Sequence, residues 1–264
     1  MSAQIERDLS ENGILRLTLN NPQRRNPLSE SMIGDLNDAI NHGADSPAVK
    51  VIVICANGPA FSAGHDLKEI TAARELPDEG REFFATLMSK CSAMMTAIVH
   101  CPKPVIAEID GIATAAGCQL VASCDLAYAS DTSRFATPGV NIGLFCSTPM
   151  VALSRNVSNK HAMEMLLTGD FISASDAERI GLINRTTDSD SLRAMTQSVA
   201  EKIAAKSSLT LAIGKEAFYR QNTMDLIHAY SFASDVMVEN MLTKDGEEGI
   251  TAFVEKRAPV WRNE

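Results

Sequence analysis

The sequence predicts an α/β fold in which strands and helices alternate through the first two thirds of the chain and helices alone follow. Three observations support this. Residues 49–55 form a run of mostly β-branched side chains ending at a turn signal, as in a strand buried on both faces. Residues 84–98 carry apolar side chains at steps of three and four, as in a helix with one buried face. Beyond residue 188 only helical patterns occur, so we expect a core over residues 1–200 and a helical region over 201–264.

The remaining elements follow from local patterns. Apolar runs predict further strands at 14–19, 104–109 and 126–130. Apolar residues at helical spacing predict helices at 29–40, 115–123, 189–205, 209–222, 225–242 and 244–256. Residues 173–176 resemble a capping box and predict one more helix start, with Gly181 as a helix end.

Composition excludes several classes of protein. The chain has 264 residues, of which 45% are hydrophobic and 22% charged, as in ordinary globular proteins, so disorder, collagen and coiled coil are excluded as the main architecture. A net charge of −9 disfavours a generally basic nucleic-acid-binding surface, and only 5% of residues are aromatic, which weakens any base-stacking surface. No run approaches the ~18 apolar residues of a membrane span. We therefore expect neither nucleic acid nor a membrane as a partner.

The cysteines and the first residues indicate a reducing compartment. None of the six cysteines forms a Cys-x-x-Cys pair, and no cysteine–histidine set has zinc-site spacing, so no metal is expected. Several lie in apolar runs, as buried reduced thiols do. Residues 1–8 show neither an apolar signal region nor a basic amphipathic pattern. We expect a cytoplasmic protein, unless an organelle signal lies upstream.

Two segments of small residues share one physical character. Residues 61–69 read FSAGHDLKE and residues 110–120 read DGIATAAGCQL; each follows a strand and runs into a helix. Asp66 and Glu69 form a plausible N-cap pair for the first of these helices. Helix starts offer free N–H groups, and two of them converging on one point would bind a developing negative oxygen. Because such turns are common, spacing alone leaves an ordinary structural turn as the alternative.

The residue types in these segments are more specific than their spacing. Together with residues 163–174, MEMLLTGDFISA, and 248–257, EGITAFVEKR, they resemble the enoyl-CoA hydratase/isomerase (crotonase) superfamily. The resemblance covers roughly residues 10–260 in unbroken order. Within the superfamily, residues 113–125 and 135–149 look most similar to the enoyl-CoA hydratase domain-containing protein 3 group.

The resemblance implies a fold and a ligand class. It implies a crotonase-like spiral of ββα units, with a C-terminal helical region used in trimerisation, so that the protein is a homo-trimer or homo-hexamer. It also implies that the core carries a site for an acyl-CoA thioester. Coenzyme A then enters as part of the substrate, and no cofactor is bound permanently.

The same resemblance implies roles for individual residues. The backbone N–H groups of His65 and Ala116 would form an oxyanion hole. Along coenzyme A would lie Ala63, His65, Asp66, Leu67 and Lys68. Arg24 would lie near its phosphates. Its nucleotide end would be approached by Phe253 and Lys256, which can come from a neighbouring subunit. Asn141 and Ser147 would line the acyl pocket.

One departure from the family pattern concerns proton transfer. Family hydratases place two glutamates over the substrate, and this chain has Gln119 and Gly139 at those positions. Some relatives use an aspartate where this chain has Ser147. Glutamine exchanges no proton near neutral pH, and Gly139 is expected to leave a gap that water or a longer acyl group fills. Since a positioned acid or base is worth ~10²–10⁴ in rate, ordinary hydration is expected to be very slow.

Three functions therefore stay open. The first is a lyase or isomerase that uses atypical groups or ordered water. The second is an acyl-CoA hydrolase or acyl-transfer enzyme, and the third is a non-catalytic acyl-CoA binder. Replacement groups for the glutamates could be the His65 side chain or the thiols of Cys118 and Cys146, against the simpler interpretation that these are structural. Glu108 and Asp110 are expected to support the backbone of the second loop.

Overall fold

The computed structural model describes residues 3–264 as alternating strands and helices, as the sequence predicts. The strands, numbered β1 to β10, are Ile5–Leu9, Ile14–Leu19, Val51–Ala56, Ala60–Ser62, Val105–Ile109, Ile112–Thr114, Leu126–Ser130, Arg134–Ala136, Ile172–Ser173 and Arg185–Thr187. The helices, numbered α1 to α11, are Glu30–Asp45, Leu67–Ala73, Arg81–His100, Ala116–Ser123, Ser147–Asn156, Asn159–Thr168, Ala174–Arg179, Ser189–Ala204, Ser208–Gln221, Leu226–Leu242 and Lys244–Glu255.

The strands form two sheets. The larger has six strands in the order β1-β2-β3-β5-β7-β10, and all neighbours are parallel except β1 and β2. The smaller has the order β4-β6-β8-β9, with only β9 antiparallel. Consecutive strand pairs β3–β4, β5–β6 and β7–β8 each give one strand to each sheet before a helix follows. This repeating strand–strand–helix unit is the predicted spiral, which is thereby confirmed.

The main core lies between the sheets and the helices α1, α3 and α4. Phe61 and Phe135, from the short strands of the smaller sheet, are fully buried in it. The opposite face of the larger sheet is covered by α8, through Leu192 and Ala200 against Val53.

Helix α3 is long and apolar enough to cross a membrane by length and composition alone. Its apolar face instead packs into the core, so α3 is a core helix.

Helices α9 to α11 form a C-terminal arm, which a few polar contacts hold to the core. Neither α9 nor α10 contains a buried residue. The side chain of Lys215 in α9 is nevertheless only 8% exposed, and its ammonium donates to Asp125 Oδ2 at 2.6 Å and to the carbonyl oxygens of Ile98 and Lys103 at 2.9 and 3.1 Å. Tyr219 donates to Asp125 Oδ1 at 2.8 Å. These contacts fix where the arm begins.

Candidate functional site

The two small-residue loops meet where β4 and β6 lie side by side. A Cβ placed on Gly64 would lie 3.3 Å from the Ala116 nitrogen and 2.9 Å from Ala115 Cβ, and the φ of Gly64 is +84°. A Cβ on Gly117 would lie 2.4 Å from the Ser62 carbonyl oxygen. Only glycine permits this approach. The parallel pairing of β4 with β6 explains it, because the loops that follow parallel neighbours leave the sheet at the same edge.

The backbone N–H groups of His65 and Ala116 are left free by this arrangement. Among residues 3–264, no backbone carbonyl oxygen accepts a hydrogen bond from either nitrogen. The neighbouring groups are paired: the Leu28 nitrogen donates to the Gly64 oxygen at 2.8 Å, and the Ala115 nitrogen donates to the Ala136 oxygen at 3.0 Å. Ala116 opens α4, where the helix dipole adds positive character to its N–H group.

The residue before α4 has an unusual backbone conformation. Ala115 has φ 50° and ψ −117°, a conformation that L-residues with a Cβ rarely adopt. The hydrogen bond from its nitrogen to the Ala136 oxygen holds the peptide in place. Such strain costs ~1–3 kcal/mol and concentrates at functional sites.

The His65 side chain is a neutral imidazole with a defined tautomer. Its Nδ1 lies 3.2 Å from the Leu28 carbonyl oxygen, which can only accept, so Nδ1 carries the proton. Burial lowers the pKa of His65 because the charged imidazolium is poorly solvated there, and the bond to Leu28 opposes this only in part. Its Nε2 is buried without a hydrogen-bond partner. At neutral pH this atom is therefore an acceptor.

Arg24 and Asp66 connect the turn that follows β2 to the first of the two small-residue loops. Arg24 Nη2 lies 2.9 Å from Asp66 Oδ1 and 2.7 Å from Oδ2. Asp66 also accepts from the Lys68 nitrogen at 3.0 Å, which confirms it as the N-cap of α2. Glu69 does not complete a capping box, because its carboxylate accepts from the Glu30 nitrogen at 3.0 Å. Asp66 is thus committed to structure.

The other residues expected along coenzyme A differ in placement. Ala63, Leu67 and Lys68 are exposed on the first loop and the first turn of α2. Phe253 and Lys256 lie at the C-terminal end of α11, which packs on α9 and α10, and Phe253 is 85% exposed. The structure thus groups the first set with the paired loops and places the second set on the arm.

Gln119 and Thr137 flank the second loop as buried polar residues. Gln119 lies one helical turn into α4, is 5% exposed, and its Oε1 has no hydrogen-bond partner. Thr137 follows β8, is fully buried, and its Oγ1 also has no partner. Thr137 is not among the site residues expected from the sequence. The available signal was a hydroxyl residue between a strand end and a proline.

Gly139 does not leave the gap that the sequence suggested. A Cβ at this position would lie 2.7 Å from the Leu144 carbonyl oxygen and 2.9 Å from Cys146 Sγ. Its φ is not in the left-handed region. That expectation is therefore wrong: the direction a side chain would take is filled by the backbone of the following turn and by a thiol.

The two cysteines near this turn are unsuited to nucleophilic chemistry. Burial raises the pKa of Cys118 to about 12 and also raises that of Cys146, so both are protonated at neutral pH. Asn141 and Ser147 are exposed, and Ser147 Oγ donates to the Phe145 carbonyl oxygen at 3.3 Å. A Cβ on Gly169 would lie 3.0 Å from Asn141 Nδ2, which places Asn141 beside the end of α6.

The acidic residues before the second loop do not support its backbone as expected. Glu108 forms a buried ion pair with Arg16 of β2. Asp110 accepts from Ser189 Oγ at 3.2 Å and so contacts the start of α8. Glu108 therefore pairs with β2 of the larger sheet, and the exposed Asp110 joins the end of β5 to the start of α8. No cluster of three His, Cys, Asp or Glu residues that could hold a metal occurs within residues 3–264.

A cavity of about 230 Å³ lies elsewhere, between α6 and α7. Its lining mixes charged, polar and apolar residues: His161, Glu164, Met165, Thr168, Asp170, Ile172, Asp176, Arg179 and Ile180. Arg179 is already paired with Asp176 at 2.9 Å. None of the residues of the paired loops lines this cavity, so the candidate site is defined by the loops.

Comparison with known proteins agrees with the geometry. Residues 10–264 match the enoyl-CoA hydratase/isomerase family. The mitochondrial enoyl-CoA hydratase domain-containing protein 3 of Xenopus laevis is 52% identical over 95% of this chain and 84% of its own length. The human protein of that name is 51% identical over 96% of this chain and 82% of its own length.

Solved structures show the same relationship in three dimensions. The crystal structure of human enoyl Coenzyme A hydratase domain-containing protein 3 superposes with a TM-score of 0.93 at 49% identity, covering 98% of this chain and 100% of that one. An enoyl-CoA hydratase from Mycobacterium smegmatis gives a TM-score of 0.94 at 48% identity, covering 98% and 99%. With the spiral fold, the paired loops and this similarity along nearly its whole length, the chain belongs to the enoyl-CoA hydratase/isomerase family.

Proposed function

We propose that this protein binds acyl-CoA thioesters and holds the thioester oxygen with the backbone N–H groups of His65 and Ala116. The observation that carries the proposal is the contact between the two loops, where a Gly64 Cβ would lie 3.3 Å from the Ala116 nitrogen. Both N–H groups lack a backbone acceptor within residues 3–264. Two preorganised donors of this kind stabilise the negative charge that develops on an oxygen when a thioester is converted to its enolate.

The proposed reaction class is that of a lyase or isomerase with weak proton transfer. Polarisation of the carbonyl by two N–H groups acidifies the neighbouring carbon, but a base must still accept the proton. Gln119 cannot do so, and Gly139 has no side chain. His65 Nε2, an acceptor in a neutral imidazole, is the group in the loops able to take a proton, directly or through water.

A second candidate function follows from the missing carboxylates. An acyl-CoA hydrolase needs the oxyanion hole but not the pair of glutamates, and a non-catalytic acyl-CoA binder needs neither. The raised pKa values of Cys118 and Cys146 argue against a thiol nucleophile, so hydrolysis would use water. Gln119 and Gly139, which stand where the resemblance leads us to expect glutamates, favour these alternatives.

We propose that coenzyme A lies along the first loop, beside Ala63, Asp66, Leu67 and Lys68, with Arg24 near its phosphates. The guanidinium of Arg24 is held by Asp66 and its side chain is 44% exposed, so a phosphate oxygen can reach it. Asn141 and Ser147 would lie toward the acyl group. Coenzyme A is the carrier portion of the substrate, and no permanently bound cofactor is proposed.

The helical region 201–264 is proposed to assemble the protein into a trimer or a pair of trimers. Its exposed apolar side chains are more numerous than a monomer's surface normally carries: Phe218, Leu226, Ile227, Tyr230, Met237, Val238, Met241, Leu242, Ile250, Phe253, Val254 and Val260. Assembly would cover them. It would also bring the Phe253 and Lys256 of one subunit near the coenzyme A nucleotide of another.

A cytoplasmic location remains our proposal, although the named relatives are mitochondrial. The six cysteines are all unpaired and buried, which fits a reducing compartment. Fractionation of the source cells, with antibody detection of this protein, tests the location. Recovery with an organelle fraction would contradict it.

The activity is tested by incubating the protein with a panel of acyl-CoAs and following hydration, isomerisation and free coenzyme A by mass spectrometry. We expect binding of crotonyl-CoA with very slow hydration. Turnover at ~10 per second or more, a typical enzyme rate, would show that an unrecognised group transfers the proton. Release of free coenzyme A alone would establish the hydrolase, and binding without any product the non-catalytic binder. Absence of binding would refute the proposal.

A further inference from the structure

The turn that follows β2, residues 21–28, runs alongside the first small-residue loop and pairs with its backbone. The Ala63 nitrogen donates to the Arg25 oxygen at 3.0 Å, and the Leu28 nitrogen donates to the Gly64 oxygen at 2.8 Å. Leu28 and His65 accordingly form an isolated parallel bridge. The loop that carries the proposed His65 donor is therefore held against this turn by backbone hydrogen bonds.

The bond between Leu28 and Gly64 sets the direction of the His65 N–H group. The Gly64 oxygen and the His65 nitrogen belong to one trans peptide, whose C=O and N–H groups point in opposite directions. Because the Leu28 nitrogen holds the oxygen on one side, the N–H group points away from the turn. The His65 imidazole adds a contact from Nδ1 to the Leu28 oxygen at 3.2 Å. A rotation of this peptide would turn the proposed donor out of the oxyanion hole.

Asn26 fixes the turn in place. It is fully buried, and its Nδ2 donates to the carbonyl oxygens of Asn57 and Ala60 at 2.9 and 2.8 Å. Its Oδ1 accepts from the Asn21 nitrogen at 2.7 Å. Both amide protons are therefore used, and they tie the turn to the start of β4, the strand that leads into the first loop.

The backbone of the turn depends on this support. Arg25 and Asn26 have φ values of 61° and 49°, in the left-handed region that residues with a Cβ adopt at a cost. Asparagine tolerates this region, because its short side chain can hydrogen-bond to nearby backbone. Here that side chain reaches Asn21 within the turn and Ala60 outside it. Position 26 therefore couples the shape of the turn to the position of the loop.

We infer that Asn26 is a positioning residue for the proposed oxyanion hole: through the turn over residues 21–28 it holds the Gly64–His65 peptide so that the His65 N–H group faces the thioester oxygen. The inference rests on the proposed acyl-CoA binding. The polar groups of the Asn26 side chain are all engaged by backbone, so Asn26 acts through the turn and not on the substrate. Since such a donor acts mainly on charge that develops at the oxygen, its misplacement weakens carbonyl polarisation more than affinity.

The test compares the carbon-13 chemical shift of butyryl-CoA, labelled at the thioester carbon, free and bound to the full chain. Butyryl-CoA is saturated and undergoes no hydration. Asn26→Gly keeps a backbone that adopts φ 49° but removes three hydrogen bonds. Asn26→Asp keeps the acceptor for the Asn21 nitrogen and, when ionised, loses both donors. Calorimetry gives the Kd of each protein, and melting curves report folding.

Asn156→Asp is the matched control. The Asn156 amide likewise donates to two carbonyl oxygens, those of Ala122 and Ala152, at 2.7 and 2.8 Å. These bonds lie toward the C-terminal ends of α4 and α5, away from the paired loops. Loss of stability in this variant should therefore appear in its melting curve without a change at the bound carbonyl.

We expect the carbonyl signal to move downfield on binding to the wild-type protein and to Asn156→Asp, because two preorganised N–H groups polarise the bond. In both Asn26 variants the signal should return toward that of free butyryl-CoA, while Kd rises by only about tenfold, as for one lost hydrogen bond. An undiminished shift in a folded Asn26 variant would overturn the positioning role. An equal loss of the shift in Asn156→Asp would overturn it too, since the cause would then be general destabilisation.

Failure of the proposed function gives a different result. If the wild-type protein binds butyryl-CoA without a downfield shift, or does not bind it, the proposed oxyanion hole is refuted and this inference falls with it.

If neither Asn26 variant folds, hydrogen exchange of the wild-type protein carries the test. The Nδ2 protons of Asn26 and the amide protons of Ala63 and Leu28 should exchange with equal free energies of opening, as one cooperative unit. Exchange of the Asn26 side chain through a lower-energy opening of its own, with Ala63 and Leu28 still protected, would overturn the positioning role.

Discussion

The carbonyl oxygen of Leu144 occupies the space into which a side chain at position 139 would extend, only 2.7 Å from an ideal Gly139 Cβ. Cys146 Sγ lies on the same side at 2.9 Å. The packing of this turn therefore favours glycine at position 139. Restoring a glutamate requires the turn over residues 143–146 to move.

Gly139→Ala is accordingly expected to destabilise the protein by ~1–3 kcal/mol, as overpacking of a buried position does. Urea unfolding measures the effect. Gly34→Ala in α1 is the control, because a Cβ there meets nothing within 4 Å and replaces glycine in a helix. It should raise stability by ~0.5–1 kcal/mol. Equal effects of the two changes would refute the packing argument.

Restoring one carboxylate tests the assignment of position 119 without disturbing that turn. Gln119→Glu, alone, is expected to raise the rate of crotonyl-CoA hydration above wild type, because an acid or base is worth ~10²–10⁴. Adding Gly139→Glu should abolish the gain by displacing the Leu144 turn. The rates are followed by the loss of enoyl absorbance, with melting curves to confirm folding. A double variant more active than Gln119→Glu would contradict the observed crowding.

Ala115→Gly should stabilise the protein, because glycine adopts φ 50° and ψ −117° without the clash that a Cβ creates. The expected gain is ~1 kcal/mol after the greater entropy of the unfolded glycine is counted. Thermal unfolding measures it. Ala122→Gly, within α4, is the control and should be destabilising. A loss of stability in Ala115→Gly would show that the loop is unstrained.

Removal of the Lys215 ammonium is expected to loosen the C-terminal arm. Lys215→Met removes the 2.6 Å partner of the Asp125 carboxylate and one donor each from the Ile98 and Lys103 carbonyl oxygens. We expect a cost of ~3–5 kcal/mol, typical of breaking a buried ion pair, and faster hydrogen exchange in α9. Lys90→Met removes an exposed partner of Glu30 and should change little. Similar losses in both would contradict the anchoring role.

Stability should rise with pH near pH 6 because of His65. Its folded pKa lies below the unfolded value of about 6.5, so between the two values the unfolded chain binds more protons. Stability is therefore lost as pH falls below about 6.5 and levels off below the folded pKa. Urea unfolding between pH 5 and 8 should show this slope, reduced in His65→Gln. An identical slope in that variant would assign the effect to another group.

The alternation of strands and helices, the helical last third and the family resemblance follow from the sequence itself. Strands 14–19 and 126–130 consist mostly of apolar residues, and residues 84–98 keep one apolar face, so local pattern determines them. The strands of the smaller sheet have two or three residues each, too few for a period to be detected. They exist because neighbouring strands pair with them.

Only the tertiary structure decided what the site residues contact. The residue types around His65 and Ala116 indicated these two residues from the sequence. They lie 51 positions apart in the chain, and the pairing of β4 with β6 brings their loops together. The direction of the Gly139 Cα–Cβ bond, the partner of Glu108 and the unpaired hydroxyl of Thr137 depend on segments distant in sequence. Side-chain periodicity carries no information on such contacts, because it records which face is buried and not what the face meets.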